Sequence, residues 1–83
     1  MCVKTFTEEE CRMAARQLNK TIQEVFHNSN EPYPPGCYMW TPEDDYHGVY
    51  FNSALTGNVK CTEKRECLCK KAGNKHIFYS GQK

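Results

Sequence analysis

The side chains best suited to chemistry are six cysteines, at positions 2, 11, 37, 61, 67 and 69 of an 83-residue chain. An even number of thiols in so short a sequence points to a disulfide framework. With it comes an oxidising place: outside a cell, in a secretory lumen, or in a virus particle. Zinc is the competing chemistry. Structural zinc sites favour ligand pairs two to four residues apart, with a second pair downstream, whereas Cys61, Cys67 and Cys69 are separated by five residues and by one. His47 or His76 would have to complete the set, and Cys2, Cys11 and Cys37 would stay unexplained. No metal and no other cofactor is expected. A nucleophilic thiol needs a lowered pKa and a nearby base. Cys11 lies near a predicted helix start, but Glu8, Glu9 and Glu10 oppose a thiolate there, and its place on an apolar face suits a disulfide better. No catalytic residue is assigned, and the chain is not expected to be an enzyme.

Three other groupings carry possible chemistry. Glu43-Asp44-Asp45 with His47 could bind calcium or act in acid–base work, but it lacks the Asp-x-Asp-x-Asp-Gly pattern and reads as a solvated turn. Asn19-Lys20-Thr21 is a glycosylation sequon at the edge of an apolar helix face, and is expected to be unused. Tyr33, Tyr38, Trp40, Tyr46, Tyr50 and Phe51 concentrate the aromatic content in one stretch. On a hairpin such rings divide between two faces, some forming core and others serving as contact anchors for a protein or carbohydrate.

Charge is uneven. Residues 1–59 hold four basic and eight acidic side chains, a balance of −4; residues 60–83 hold seven and two, a balance of +5. This reads either as a dipolar, solvated surface or as a basic tail seeking an acidic partner. The residues expected to meet a partner protein are Trp40, Tyr46, Tyr50, Lys70, Lys71, Lys75 and Phe78. Nucleic acid is not expected, because the basic and aromatic residues lie in different segments and the net charge is +1. Membrane insertion is not expected either, since no apolar run approaches the roughly 20 residues a spanning helix needs. Met1-Cys2-Val3-Lys4 lacks the apolar stretch of a signal peptide. Three origins fit that: an excised mature domain, a piece of a longer protein, or a chain oxidised after assembly without secretion.

The elements that must position these residues follow from local pattern. Thr7-Glu8-Glu9-Glu10 has the form of a capping box. Cys11, Ala14, Ala15, Leu18, Ile22, Val25 and Phe26 then share one face at helical period, so the spacing predicts an amphipathic helix from residue 8 to between 19 and 26. Pro32, Pro34 and Pro35 exclude helix beyond it. Residues 37–40 and 49–52 read as strands of an antiparallel hairpin, and residues 66–70 as a third strand with Cys67 and Cys69 on one face and Leu68 on the other. Residues 71–83 form a basic tail, either disordered or a short edge strand, with disorder the favoured form.

Glu9-Glu10-Cys11, Ala14-Ala15, Leu18, Pro34-Pro35-Gly36-Cys37-Tyr38, Val49-Tyr50-Phe51-Asn52, Cys61 and Cys67-Leu68-Cys69-Lys70 occur in that order. Together they resemble a cysteine-rich module that recurs in predicted proteins of algae, dinoflagellates and other protists. The resemblance covers roughly residues 2–70 and implies a repeatable structural or recognition unit with no catalytic residue. The loop at Glu43-Asp44-Asp45 is longer than that pattern suggests.

The fold expected is a small disulfide-rich α+β domain: an N-terminal amphipathic helix on a two- or three-stranded antiparallel sheet, with residues 1–70 as the module and 71–83 as the tail. Six cysteines allow fifteen pairings; the preferred set is Cys11–Cys37, Cys2–Cys69 and Cys61–Cys67. The expected function is a non-enzymatic structural or interaction module of an extracellular or virion assembly. The alternative is a secreted effector acting alone: a toxin, an antimicrobial peptide or a protease inhibitor.

Overall fold

Thr7 stops the backbone in an extended conformation, and its hydroxyl oxygen accepts a hydrogen bond from the Glu10 amide at 3.2 Å. That cap, with three glutamates against the positive end of the helix dipole, starts helix α1 (Glu8–Gln17). In the computed structural model, which describes residues 3–4, 7–72 and 77–82, α1 is shorter than the apolar period predicts. Asn19 adopts a left-handed backbone at φ 58, the Lys20 amide donates to the Ala15 carbonyl, and the Asn19 amide donates to that of Arg16. This is a Schellman termination. Ile22, Val25 and Phe26 leave the helix and form strand β2 (Ile22–Phe26). Their spacing fits a helix, but all three are β-branched or aromatic residues that suit a strand equally well.

The other strands are β1 (Val3–Lys4), β3 (Gly36–Trp40), β4 (Gly48–Asn52), β5 (Arg65–Ala72) and β6 (Ile77–Gln82). They form one six-stranded sheet in the order β1-β5-β3-β4-β2, with β6 also paired to β5. The α+β class is as expected, but the sheet has more strands than two or three and is mixed. β3 pairs antiparallel with β4 and β5, whereas β2 pairs parallel with β4. The reason is the early helix stop, which frees a strand that must run back along β4. Residues 77–82 take the edge-strand form, hydrogen-bonded to β5 from Cys67 to Ala72.

One side of the sheet is closed by α1. Cys11, Ala14 and Ala15 face Cys37, Val49, Phe51, Leu68 and Tyr79, with Leu18, Ile22 and Met39 at the margin. Small helix residues let α1 approach the strands closely, and Cys11 is bonded to Cys37 with Cα atoms 5.3 Å apart. Lys70 reaches from β5 to Glu10 on α1, Nζ to Oε2 2.8 Å. A bulge between Ile22 and Glu24, two residues of β2 against one step of β4, sends Ile22 to this core and Glu24 and Phe26 to the opposite side. Gly48 opens β4 at φ 151, where an added Cβ would strike the Gln23 side chain.

A second disulfide, Cys61–Cys67, lies on the face away from the helix, since Cys67 is the cross-strand partner of Tyr38. Both pairings match those expected from the sequence. Cys69 is also oxidised; its expected partner, Cys2, lies outside the described residues. With Cys61 bonded to Cys67 and Cys11 to Cys37, the thiolates needed for the zinc set and for a Cys11 nucleophile are consumed.

The Cys11–Cys37 bond closes 26 residues. Replacing both cysteines by alanine is expected to cost about 3 kcal/mol, read as a lower urea midpoint. An unchanged midpoint would show that burial alone holds α1 on the sheet.

Candidate functional site

The sheet face opposite α1 carries a groove of about 470 Å³. Strand alternation puts Tyr38 and Trp40 from β3, Tyr50 from β4 and Arg65 from β5 on this side, while Cys37, Val49, Phe51 and Leu68 point into the helix-side core. The rings are in contact. Tyr38 and Tyr50 stack at 5.5 Å between centroids with planes 16° apart. Phe26 meets Tyr33 edge-on at 5.3 Å and Tyr38 at 6.2 Å. The Arg65 guanidinium carbon sits 4.4 Å from the centre of the Trp40 ring and 5.5 Å from that of Tyr33. Cation and rings attract through the aromatic quadrupole, most strongly for tryptophan. Trp40 and Arg65 are direct cross-strand partners, so their stacking is set by register.

Two loops complete the walls. Asn52, fully buried at the end of β4, donates from its amide to the carbonyls of Asn28 at 2.7 Å, Pro34 at 3.1 Å and Tyr33 at 3.3 Å. Its carbonyl accepts from the amides of Asn28 and Ala54, both at 3.1 Å. This one side chain fastens the 27–35 loop and so places Tyr33. The β3–β4 loop is held by Asp44, whose carboxylate accepts from the Trp40 indole at 2.9 Å and from the Tyr46 amide at 2.9 Å. Asp44 therefore organises the loop instead of sitting in a calcium-type turn. Tyr50 donates its hydroxyl to the Tyr46 carbonyl at 2.5 Å, leaving the Tyr46 ring 71% exposed at the rim. His47 anchors the loop's far end: Nδ1 faces the carbonyls of Thr41 and Pro42, and Nε2 accepts from Lys20 at 2.8 Å.

Burial pushes the Tyr38 phenol up to about 12, against the opposing pull of Arg65. Burial also raises Tyr50, helped by the negative charges of Glu24 and Asp44. The floor of the groove is thus uncharged phenol with one guanidinium set into it. Among the described residues no group of three or more His, Cys, Asp or Glu side chains is arranged to hold a metal ion.

Of the residues expected to meet a partner, Trp40, Tyr46 and Tyr50 come together here. Lys70 does not: it pairs with Glu10 on the helix side, and that hydrogen bond raises its pKa. The backbones of Lys71 and Phe78 lie in β5 and β6, their side chains fall outside the description, and Lys75 and His76 lie outside the described residues. Sequence reasoning missed Arg65, Phe26 and Asn52. Arg65 was detectable, because it shares the alternation of Cys67 and Cys69 along β5.

Two outcomes test this geometry. Asn52→Asp removes the amide donor and turns a carboxylate towards three carbonyl oxygens; the expected loss is about 3 kcal/mol in thermal or urea unfolding. Tyr38 gives a pH test. In the unfolded chain it ionises near 10, in the folded one near 12, so its contribution is intact below pH 10 and stability falls as pH climbs between those values. Tyr38→Phe is expected to flatten that part of the alkaline decline, measured by denaturant midpoints across the window. The chain matches no known family model, no curated protein and no solved structure.

Proposed function

We propose that this domain is a non-enzymatic interaction module whose aromatic groove holds a partner protein within an extracellular or virion assembly. The observation that carries the reading is the ring cluster around Arg65, with the Tyr46 ring projecting from its rim. Tyrosine, tryptophan and arginine are the residues on which binding energy concentrates at protein interfaces. Here they are preset: sheet register, stacking and the Asp44 and Asn52 hydrogen bonds fix them before any partner arrives. Pre-ordering lowers the entropy that association must overcome. The disulfides are compatible with an oxidising location, and no described helix is long and apolar enough to cross a membrane.

Tyr46→Ala tests the reading cleanly, because the ring is exposed while the carbonyl that receives the Tyr50 hydroxyl remains. Melting is expected to move by less than about 0.5 kcal/mol. Capture of a partner protein from the native source by the immobilised domain is expected to drop at least tenfold, the size of effect that a hot-spot truncation of about 2 kcal/mol gives. Equal capture by both forms, or biological activity of the lone protein that is indifferent to Tyr46, overturns the groove as the working surface.

A further inference from the structure

We infer that the groove receives an extended polypeptide segment bearing an isolated aspartate or glutamate, and that Arg65 is the residue that takes its carboxylate. This rests on the binding reading above and adds the chemistry of the occupant.

The charge on Arg65 has no ionic counterpart among the described residues; its polar neighbour is the neutral Tyr38 phenol. The ion pairs between described residues are Arg12–Glu8 and Lys70–Glu10, both away from the groove. Arg65 Nε is buried and has no hydrogen-bond acceptor. Ring faces offset a guanidinium only in part, and a buried donor without an acceptor is costly. The carboxylates nearest the groove do not answer it. Asp44 is committed to Trp40 and the Tyr46 amide, and Glu24 stands on the β2 wall near Tyr50. A planar guanidinium stacked between rings accepts a carboxylate in its own plane, with fixed direction.

The remaining polar groups say what else the occupant can be. The Trp40 indole donates to Asp44, the Tyr50 hydroxyl donates to the Tyr46 carbonyl, and the Asn28 backbone amide donates to Asn52. A sugar brings many hydroxyls, each needing a partner, and finds these donors taken. A peptide with flat apolar flanks and a single anion needs ring faces and one cation, which is what the groove supplies. Glu24 and Asp44 at its sides disfavour a run of acids, so a lone acidic residue among apolar ones fits best.

The probe is a displayed library of random dodecapeptides panned against the oxidised full chain. Retained sequences are expected to share one Asp or Glu between apolar residues. A retained peptide made synthetically is expected to bind at least tenfold more tightly than its Asp→Asn or Glu→Gln counterpart, followed by fluorescence of Trp40, the single tryptophan. Arg65→Gln is expected to abolish that difference, and Tyr46→Ala to weaken both peptides alike. The acid-to-amide comparison leaves the protein unaltered, so it decides the matter even where Arg65→Gln fails to fold. Binders without an acidic preference overturn the carboxylate assignment while Tyr46-dependent binding keeps the groove reading intact. Recovery of no peptide, or retention of neutral glycans that Tyr46→Ala abolishes, overturns the peptide assignment. Peptide binding indifferent to Tyr46→Ala removes the groove reading as well.

Discussion

The bond between Cys11 and Cys37 joins the described helix to β3, the strand flanked on both sides by β4 and β5. Around it Ala14 and Ala15 bring α1 down on Val49, Phe51 and Leu68, so a core with few large side chains is still closed to solvent. A ten-residue helix covers one face of a six-stranded sheet and no more. The opposite face therefore has to be satisfied by other means. Aromatic side chains packed on one another, a short disulfide and two pinned loops serve there. They cover the backbone without filling the space a second layer would fill.

That division gives the sheet two characters. On the helix side, alternate positions carry cysteine, valine, phenylalanine and leucine, and the surface is closed. On the other, the same strands carry Tyr38, Trp40, Tyr50 and Arg65. Large rings bury their shared edges and leave their outer faces wet, a compromise suited to tyrosine and tryptophan because they are apolar in body and polar at the tip. The groove is thus a by-product of a one-helix architecture, shaped by loops whose hydrogen bonds converge on Asn52 and Asp44.

Much of this could be read from the chain. Thr7 and the following glutamates marked the helix start, and the structure has Thr7 capping Glu10. The thiols at 11, 37, 61 and 67 pair as in the preferred set, one of the fifteen that six cysteines allow. Of the aromatic residues concentrated between 33 and 51, all but Phe51 gather on the sheet face away from the helix. What stayed hidden has physical causes. Ile22, Val25 and Phe26 satisfy a helical and an extended pattern at once, and only the left-handed backbone at Asn19 decides between them. Parallel pairing of β2 with β4 is a non-local choice that no short window reveals. Arg65 reads as one more basic residue near the C-terminus until register sets it against Trp40, and Lys70 pairs with Glu10 on the helix side.

The parallel pairing also orders the way the chain comes together. β2 precedes β3 in sequence, yet the strand it rests on is β4, so its backbone groups wait for residues 48–52. The antiparallel β3–β4 ribbon and the β5–β6 hairpin are the sequence-local pairings, whereas β2 reaches its partner strand only across β3. Helix α1 and strand β2 are consequently made before the strands that cover them, and Cys11 precedes its bonding partner on β3 by 26 residues.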